Sequence, residues 1–182
     1  MIQVKICGIN DPLAFDTAVE AGADCIGFVF FPPSPRCVTP SQAAALSARA
    51  PGGPPRVGLF VDPTEAKIAA VLAEMRLDVL QLHGRIDDIA ALRARFGLPI
   101  WRAVGIGTEA DLPRDALGAD RLLLDAKPPP ASVLPGGNAV SFDWSVLRGW
   151  AAPAPWVLAG GLTPDNVAGA IHATGATAVD VS

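Results

Sequence analysis

The sequence has few of the residues that build metal sites, disulfide frameworks or nucleic-acid surfaces. It contains three cysteines, two histidines and no tyrosine in 182 residues, and no two cysteines have the Cys-x-x-Cys spacing of a zinc site. An odd number of cysteines provides no disulfide framework, and three reduced thiols suit the cytoplasm. The formal net charge is −4 and the lysines and arginines are scattered, which argues against a nucleic-acid binder with a basic surface.

Long apolar runs and a leader segment are also missing. No hydrophobic stretch approaches the roughly 18 residues that cross a bilayer. The chain starts directly with a strand pattern, without the charged and then apolar segments of a signal peptide. We therefore expect a soluble cytoplasmic protein with no membrane partner. Hydrophobic residues make up 51% of the chain, so one domain of this length can bury a large core.

Short apolar runs alternate along the chain with alanine-rich stretches of helical period. Strands are predicted near residues 3–7, 25–31, 56–61, 79–82, 100–104, 121–125, 156–159 and 178–182. Helices are predicted near residues 12–21, 41–49, 64–75, 86–96, 109–117, 144–150 and 164–173. Four pairs are typical of helix starts: Asp11-Pro12, Thr39-Pro40, Asp62-Pro63 and Thr163-Pro164.

The strand segments are runs of Val, Ile and Leu rather than alternations of polar and apolar residues, which indicates parallel strands buried on both faces. Eight such strands joined by helices predict a (β/α)8 TIM barrel, although that fold usually needs about 250 residues. We interpret residues 1–182 as a single phosphate-binding barrel domain, and we expect it to be truncated after the eighth strand and to lack the final helix. An open doubly wound sheet is the alternative, but "CGINDP" after the first strand is not its glycine-rich fingerprint.

Active-site groups of a barrel cluster at the carboxyl ends of its strands. The predicted strand ends carry Cys7-Gly8, Pro35-Arg36, Val61-Asp62, His83-Gly84, Asp125, Gly160-Gly161 and Asp180. This set contains a thiol, carboxylates, an arginine and a Gly-Gly pair before a helix, but no metal cluster and no dinucleotide signature. It suits acid–base chemistry on a small phosphorylated substrate. The Pro- and Gly-rich segment 126–141 follows a strand and is expected to be a functional loop, with a mobile connector as the alternative.

Eight segments along the chain together resemble one enzyme family. They are KICGI, FFPPSPRCV, VGLFVD, LQLHG, LLLDAK, PGGNAVSFDW, LAGGLTPDNV and VDVS. Their order is that of phosphoribosylanthranilate isomerase, an enzyme of tryptophan biosynthesis. The resemblance implies an Amadori rearrangement of N-(5-phosphoribosyl)anthranilate to 1-(2-carboxyphenylamino)-1-deoxyribulose 5-phosphate. No cofactor is implied, because the iminium nitrogen formed from the substrate accepts the electrons.

The resemblance implies that Asp125 is the general acid and Cys7 the general base. Packing is the common role of a lone cysteine, and helix capping or ion pairing that of an aspartate. The strand-end positions and the glycine after Cys7 favour catalysis in this chain. Partial desolvation of Asp125 after the apolar run Leu122–Leu124 would favour its protonated form. Lys5 stands two residues before Cys7, and because that spacing is about 7 Å we expect it to contribute little to the thiolate.

The resemblance also implies the residues that bind the anthranilate and sugar parts of the substrate. Arg36 is expected to pair with the anthranilate carboxylate, since a planar guanidinium matches a carboxylate with two parallel hydrogen bonds. His83 is expected to line the pocket without transferring protons. Asp180 is expected to lie beside the substrate and to orient it. His172, on a predicted helix, is interpreted as structural.

Two glycine pairs are expected to bind the phosphate through backbone N–H groups. Gly160 and Gly161 lead into a predicted helix start, where an anion is favoured, although a plain tight turn is the alternative. Gly136 and Gly137 are expected to contribute in the same way. Here the chain departs from the family, which usually has Gly-Gly-Thr-Gly where this chain has Gly-Gly-Asn-Ala, so Ala139 alters the loop.

Two other interpretations remain open from the sequence. One is a related phosphate-binding barrel isomerase, such as that of histidine biosynthesis, but that family uses two aspartates and Cys7 argues against it. The other is a non-catalytic truncated barrel, because the chain stops at "DVS" where the family usually continues into a final helix. The expected partners are a small phosphorylated substrate and, in a homodimer, a second copy of the chain; a monomer is the alternative, and no nucleic-acid partner is expected.

Overall fold

Eight parallel strands close into a barrel, which confirms the predicted (β/α)8 architecture and excludes the open sheet. The computed structural model describes residues 1–128, 136 and 140–182. The strands are β1 (Gln3–Cys7), β2 (Cys25–Val29), β3 (Arg56–Val61), β4 (Val79–His83), β5 (Ile100–Ile106), β6 (Arg121–Ala126), β7 (Trp156–Leu158) and β8 (Ala178–Val181). They pair in chain order, and β8 closes the barrel on β1 in a register that places Lys5 beside Asp180.

The helices lie outside the barrel, and four of the five helices in the described residues begin at a side-chain cap. The described part of the chain contains α1 (Pro12–Glu20), α2 (Pro40–Ser47), α3 (Glu65–Glu74), α4 (Ile89–Phe96) and α5 (Val167–Thr174). The side chains of Asp11, Thr39, Thr64 and Asp88 each accept the backbone N–H three residues further on, which satisfies a donor that the helix leaves free. In these described residues no helix is both long and apolar enough to cross a membrane.

Two predicted helices are wrong. Residues 109–117 form only the short 3-10 helix Glu109–Asp111, and residues 144–150 form only the 3-10 helix Trp144–Leu147. Pro113 has no backbone N–H and disfavours the helical conformation of the residue before it, so Leu112 is extended. In the second segment Arg148 is extended and Gly149 has a positive φ of 77°, which turns the chain away from a helix.

The barrel interior is apolar in its amino-terminal half, and several polar side chains stand in its carboxyl-terminal half. Alternate residues of each strand face inward. In the amino-terminal half the inward residues form one buried apolar cluster, which includes Val57, Val79, Trp101, Leu123, Val157 and Ala178. Two residues further along their strands stand Gln81, Asp125 and Asp180, which are buried but polar. The chemistry-bearing groups are thus held at the carboxyl ends of the strands, above a packed floor.

Candidate active site

A cavity opens at the carboxyl ends of the strands and encloses about 600 Å³ including its open mouth. Its lining includes Cys7, Arg36, Gln81, His83, Asp125, Gly136 and Asp180. A smaller cavity beside it is lined by Gly160, Gly161, Thr163 and Ser182. Asp125 and Asp180 line both cavities, so the two form one continuous polar region. The structure therefore brings together the described residues that the sequence predicts to bind or react with the substrate, whereas the strand-end residues Asp62 and Gly84 line neither cavity. Gly137 and Ala139 lie outside the described residues.

Lys5 connects Cys7 to Asp180 inside the barrel. Only 2% of Lys5 is exposed, and its Nζ donates a hydrogen bond of 2.7 Å to Oδ1 of Asp180. The same ammonium group lies beside the thiol, because a Cβ atom placed at Gly27 would be 3.1 Å from Nζ of Lys5 and 2.7 Å from Sγ of Cys7. Burial raises the pKa of the Cys7 thiol and the Lys5 cation opposes this rise. The expectation that Lys5 contributes little is wrong, because its four-carbon side chain bridges a gap that the backbone spacing does not.

The side chains of Lys5 and Cys7 depend on a glycine of the neighbouring strand. Gly27 stands opposite Cys7 in the register of β1 and β2. A Cβ atom at Gly27 would lie 2.7 Å from Sγ of Cys7 and 3.1 Å from Nζ of Lys5. Any residue other than glycine at this position would force the Cys7 sulfur or the Lys5 ammonium group to move. Gly27 was not predicted as a site residue, although a glycine inside an apolar strand can indicate such a close approach.

Gln81 and His83 form a buried pair on β4. Their side chains face inward, and Nε2 of Gln81 lies 2.8 Å from Nε2 of His83. Burial lowers the pKa of His83 to about 3, with the cations of Lys5 and Arg102 adding to the effect, so the imidazole is neutral. The amide of Gln81 donates to Nε2, which places the ring proton on Nδ1. Oε1 of Gln81 has no hydrogen-bond partner among the described residues.

Asp125, the second-last residue of β6, lies in a pocket of backbone atoms. Its Oδ1 accepts the N–H of Ala126 at 2.8 Å. A Cβ at Gly136 would overlap Oδ2 of Asp125, and one at Gly160 would lie 3.1 Å from Oδ1. The carboxyl group is therefore enclosed by two glycine backbones that leave it little room to move. The sequence predicts Asp125 and both glycines as site residues but not that they touch.

Arg36 stands at the mouth of the cavity, in the loop that follows β2. Its backbone N–H donates to Oγ of Ser34 at 3.2 Å. Gly8 lies beneath the Arg36 side chain with a φ of 80°, and a Cβ there would overlap Cδ of Arg36. Gly8 thus provides both the left-handed turn after β1 and the space for the arginine. The half-buried guanidinium has access to a carboxylate that enters the cavity.

The side chain of Asn166 fixes the conformation of the turn between β7 and α5 through two hydrogen bonds. Gly160 and Gly161 have positive φ angles of 87° and 58°. Nδ2 of Asn166 donates to the carbonyl of Gly161 at 2.9 Å, and Oδ1 of Asn166 accepts the N–H of Thr163 at 2.8 Å. This arrangement explains why α5 begins at Val167 and not at residue 164, as predicted. Asn166 was not predicted as a site residue.

The chain matches known proteins over its whole length. The model of the family described as N-(5'phosphoribosyl)anthranilate (PRA) isomerase matches residues 4–182. The N-(5'-phosphoribosyl)anthranilate isomerase of Paramagnetospirillum magneticum is 56% identical over 187 aligned residues, covering 100% of this chain and 86% of that protein. Both findings confirm the family resemblance seen in the sequence.

Solved structures of the same family have the same fold. Monomers generated from the dimeric phosphoribosylanthranilate isomerase of Thermotoga maritima align with a TM-score of 0.81 and 37% identity, over 100% of this chain and 87% of theirs. A phosphoribosylanthranilate isomerase in complex with reduced 1-(o-carboxyphenylamino)-1-deoxyribulose 5-phosphate aligns with a TM-score of 0.81 and 36% identity, over 100% and 87%. On its fold, its site and these matches, the chain belongs to the phosphoribosylanthranilate isomerases, the aldose–ketose isomerases of tryptophan biosynthesis.

Proposed function

We propose that Asp125 and Cys7 carry the two proton transfers of the isomerisation. The observation behind this proposal is that one cavity holds a carboxyl group from β6 and a thiol from β1, with Arg36 at its mouth. An acid and a base on different strands can act on different atoms of one bound sugar. Since the chain is an isomerase of this family, the reaction itself requires both roles.

In the first step Asp125 protonates the furanose ring oxygen. The bond between that oxygen and C1 breaks, and the nitrogen lone pair forms the C1=N bond of an iminium ion. The glycine backbones around Asp125 fix its carboxyl group for this transfer. A positioned general acid of this kind typically contributes about 10²–10⁴-fold to the rate.

In the second step the Cys7 thiolate removes the proton from C2. The C2–H bond breaks, an S–H bond forms, and the electron pair moves through C1 to the iminium nitrogen. The resulting enolamine then takes a proton at C1 and loses one from the C2 hydroxyl, which gives the ketose. The substrate nitrogen accepts the electrons, so these steps use only the side chains named here.

The two connected cavities suit the two ends of the substrate. Arg36 at the mouth of the larger cavity would hold the anthranilate carboxylate, since a guanidinium binds a carboxylate through two parallel hydrogen bonds. The bare N–H groups of Gly160 and Gly161 in the smaller cavity would approach the phosphate closely. Asp180 lines both cavities, so we place the ribose chain beside it. His83, held neutral, lines the pocket.

Further proposals concern the partners and the place of action. A relative 36% identical binds a reduced form of the product, which supports a small phosphorylated substrate for this chain. The dimeric isomerase of Thermotoga maritima supports a homodimer, with a monomer as the alternative. Three free cysteines are consistent with work in the cytoplasm.

The test is an assay of the purified chain with N-(5-phosphoribosyl)anthranilate. Because substrate and product have the same mass, the product is identified by chromatography and by the ketose carbon signal in NMR. Conversion by the parent chain and its loss in Asp125→Asn support the assignment. Full conversion by Asp125→Asn would remove Asp125 from the acid role.

A further inference from the structure

A buried ammonium group lies between the thiol and a carboxylate of this site. We propose that Lys5 is a positioning residue that stabilises the thiolate of Cys7 and that Asp180 opposes it by sharing the same cation. This inference rests on the proposed role of Cys7 as the base. It adds that Lys5 and Asp180 set the protonation state of Cys7, a role that neither the sequence pattern nor the family resemblance assigns to them.

The Lys5 ammonium group lies close to both Cys7 and Asp180. Lys5 and Cys7 are alternate residues of β1 and face the same side of the strand, toward the barrel interior. The register of β1 with β8 brings Asp180 beside Lys5, and the hydrogen bond between them is 2.7 Å. A Cβ at Gly27 would lie close to both Nζ of Lys5 and Sγ of Cys7, so the two atoms share the space above that glycine.

The charges in this cluster decide the protonation state of the thiol. With Cys7 as a thiol, the Lys5 and Asp180 pair is neutral; loss of the thiol proton leaves one net negative charge in a buried place. Burial raises the pKa of Cys7, Lys5 lowers it, Asp180 raises it again, and Arg36 at the cavity mouth lowers it. Asp125 faces the same cavity from β6.

His83 lines the same cavity as Cys7 and is neutral, so it adds no charge beside the thiol. Formation of the substrate iminium ion would bring a further positive charge beside Cys7. The thiolate would therefore be favoured when the C2 proton has to be removed, with Lys5 donating a hydrogen bond to the sulfur. Without Lys5 the buried thiolate would keep no cation on its own strand.

The proposal predicts opposite effects from the two partners of Cys7. Removing the cation with Lys5→Met should raise the pKa of Cys7, because the buried thiolate loses its hydrogen-bond donor. Removing the competing carboxylate with Asp180→Asn should lower it, because the ammonium group then serves the sulfur alone. If Lys5 and Asp180 only stabilised the fold, the two variants would not shift the pKa of Cys7 in opposite directions.

The experiment measures the pH dependence of iodoacetamide alkylation at Cys7 in the full chain without substrate. Peptide mass spectrometry separates Cys7 from Cys37, which serves as the internal control. The midpoint of each profile gives the pH at which half of that cysteine is thiolate, and it does not depend on how accessible the sulfur is to iodoacetamide. We expect the midpoint to rise by about one pH unit or more in Lys5→Met, a tenfold loss of thiolate, and to fall by a similar amount in Asp180→Asn. Lys5→Arg, which keeps the charge, should lie nearer to the parent chain.

Shifts of the same sign in both variants, or midpoints equal to the parent value, would overturn the proposal. If Lys5→Met does not fold, as judged by circular dichroism, the Asp180→Asn profile decides alone. The measurement needs no isomerase activity, so it separates this proposal from the proposed function. Opposite shifts combined with normal turnover of Cys7→Ala would retain the role of Lys5 but remove Cys7 as the base.

Discussion

The amide Nε2 of Gln81 lies 2.8 Å from Nε2 of His83, and both side chains are buried at the floor of the site. Because the amide group donates this hydrogen bond, His83 accepts it as a neutral imidazole. The site therefore contains a histidine that stays neutral and does not take up a second proton near neutral pH, even though histidine is the usual residue for proton transfer.

This pairing predicts the behaviour of His83 in NMR. Nitrogen-15 spectra should show His83 as the Nδ1-protonated tautomer, without titration between pH 5 and 8, because burial lowers its pKa to about 3. His172, which is exposed on α5, gives a second imidazole signal for comparison in the same spectra. In Gln81→Leu the tautomer preference of His83 should weaken. A titration of His83 near pH 6.5 would show that the imidazole is not held neutral.

The same pKa shift makes stability depend on pH. His83 binds a proton near pH 6.5 when unfolded but only near pH 3 when folded, so the unfolded state gains protons first as the pH falls. This contribution to stability is complete above pH 6.5 and decreases below it, by about 2 kcal/mol between pH 6.5 and 5. Urea unfolding of the parent chain, His83→Asn and His172→Asn at pH 7 and 5 measures it. The pH effect should shrink only in His83→Asn; an equal effect in all three would contradict this explanation.

Gly27 is predicted to be intolerant of a single methyl group. In Gly27→Ala the added Cβ would meet Sγ of Cys7 at 2.7 Å, so the sulfur and the Lys5 ammonium group must move. We expect a loss of about 1–3 kcal/mol in the free energy of unfolding, as for other overpacked cores, and reduced turnover. Gly169→Ala is the matched control, because nothing lies within 4 Å of a Cβ there. It should be neutral or slightly stabilising, and equal behaviour of the two variants would refute the close approach at Gly27.

Arg36 is predicted to bind the anthranilate carboxylate through two hydrogen bonds. Arg36→Lys keeps the charge but presents a point donor, so affinity for the product should fall by about 1.5–3 kcal/mol. Calorimetric titration with the reduced product measures the change. Arg85→Lys, at an exposed side chain outside the cavity, is the control and should bind like the parent chain. Unchanged affinity of Arg36→Lys would place the carboxylate elsewhere.

Much of the barrel could be predicted because strand burial and helix capping are local properties of the sequence. Val/Ile/Leu runs placed the strands to within two residues at each end, and Asp11 and Thr39 marked helix starts. The two wrong helices were overruled by local chemistry, at Pro113 and at Gly149. Those two residues were visible in the sequence, so their effect on helix length could have been expected.

The site was predictable only in part, because contacts between distant strands set its electrostatics. Strand ends pointed to Cys7 and Asp125, since the fold itself gathers such positions. The ion pair of Lys5 with Asp180 joins residues 175 apart in sequence and depends on the register of β1 with β8. The pairing of β1 with β8 cannot be read from any short segment of the sequence.

The central claim is that Asp125 and Cys7 are the acid and base of the isomerisation, and one paired measurement tests it most directly. Turnover of N-(5-phosphoribosyl)anthranilate and affinity for the reduced product are measured for Cys7→Ser, Asp125→Asn and the control Cys25→Ser, whose site packs on the barrel floor. We predict that each of the first two variants loses about 10²–10⁴-fold in kcat and still binds the product, while Cys25→Ser keeps both. Near-normal kcat in Cys7→Ser or Asp125→Asn would contradict the account.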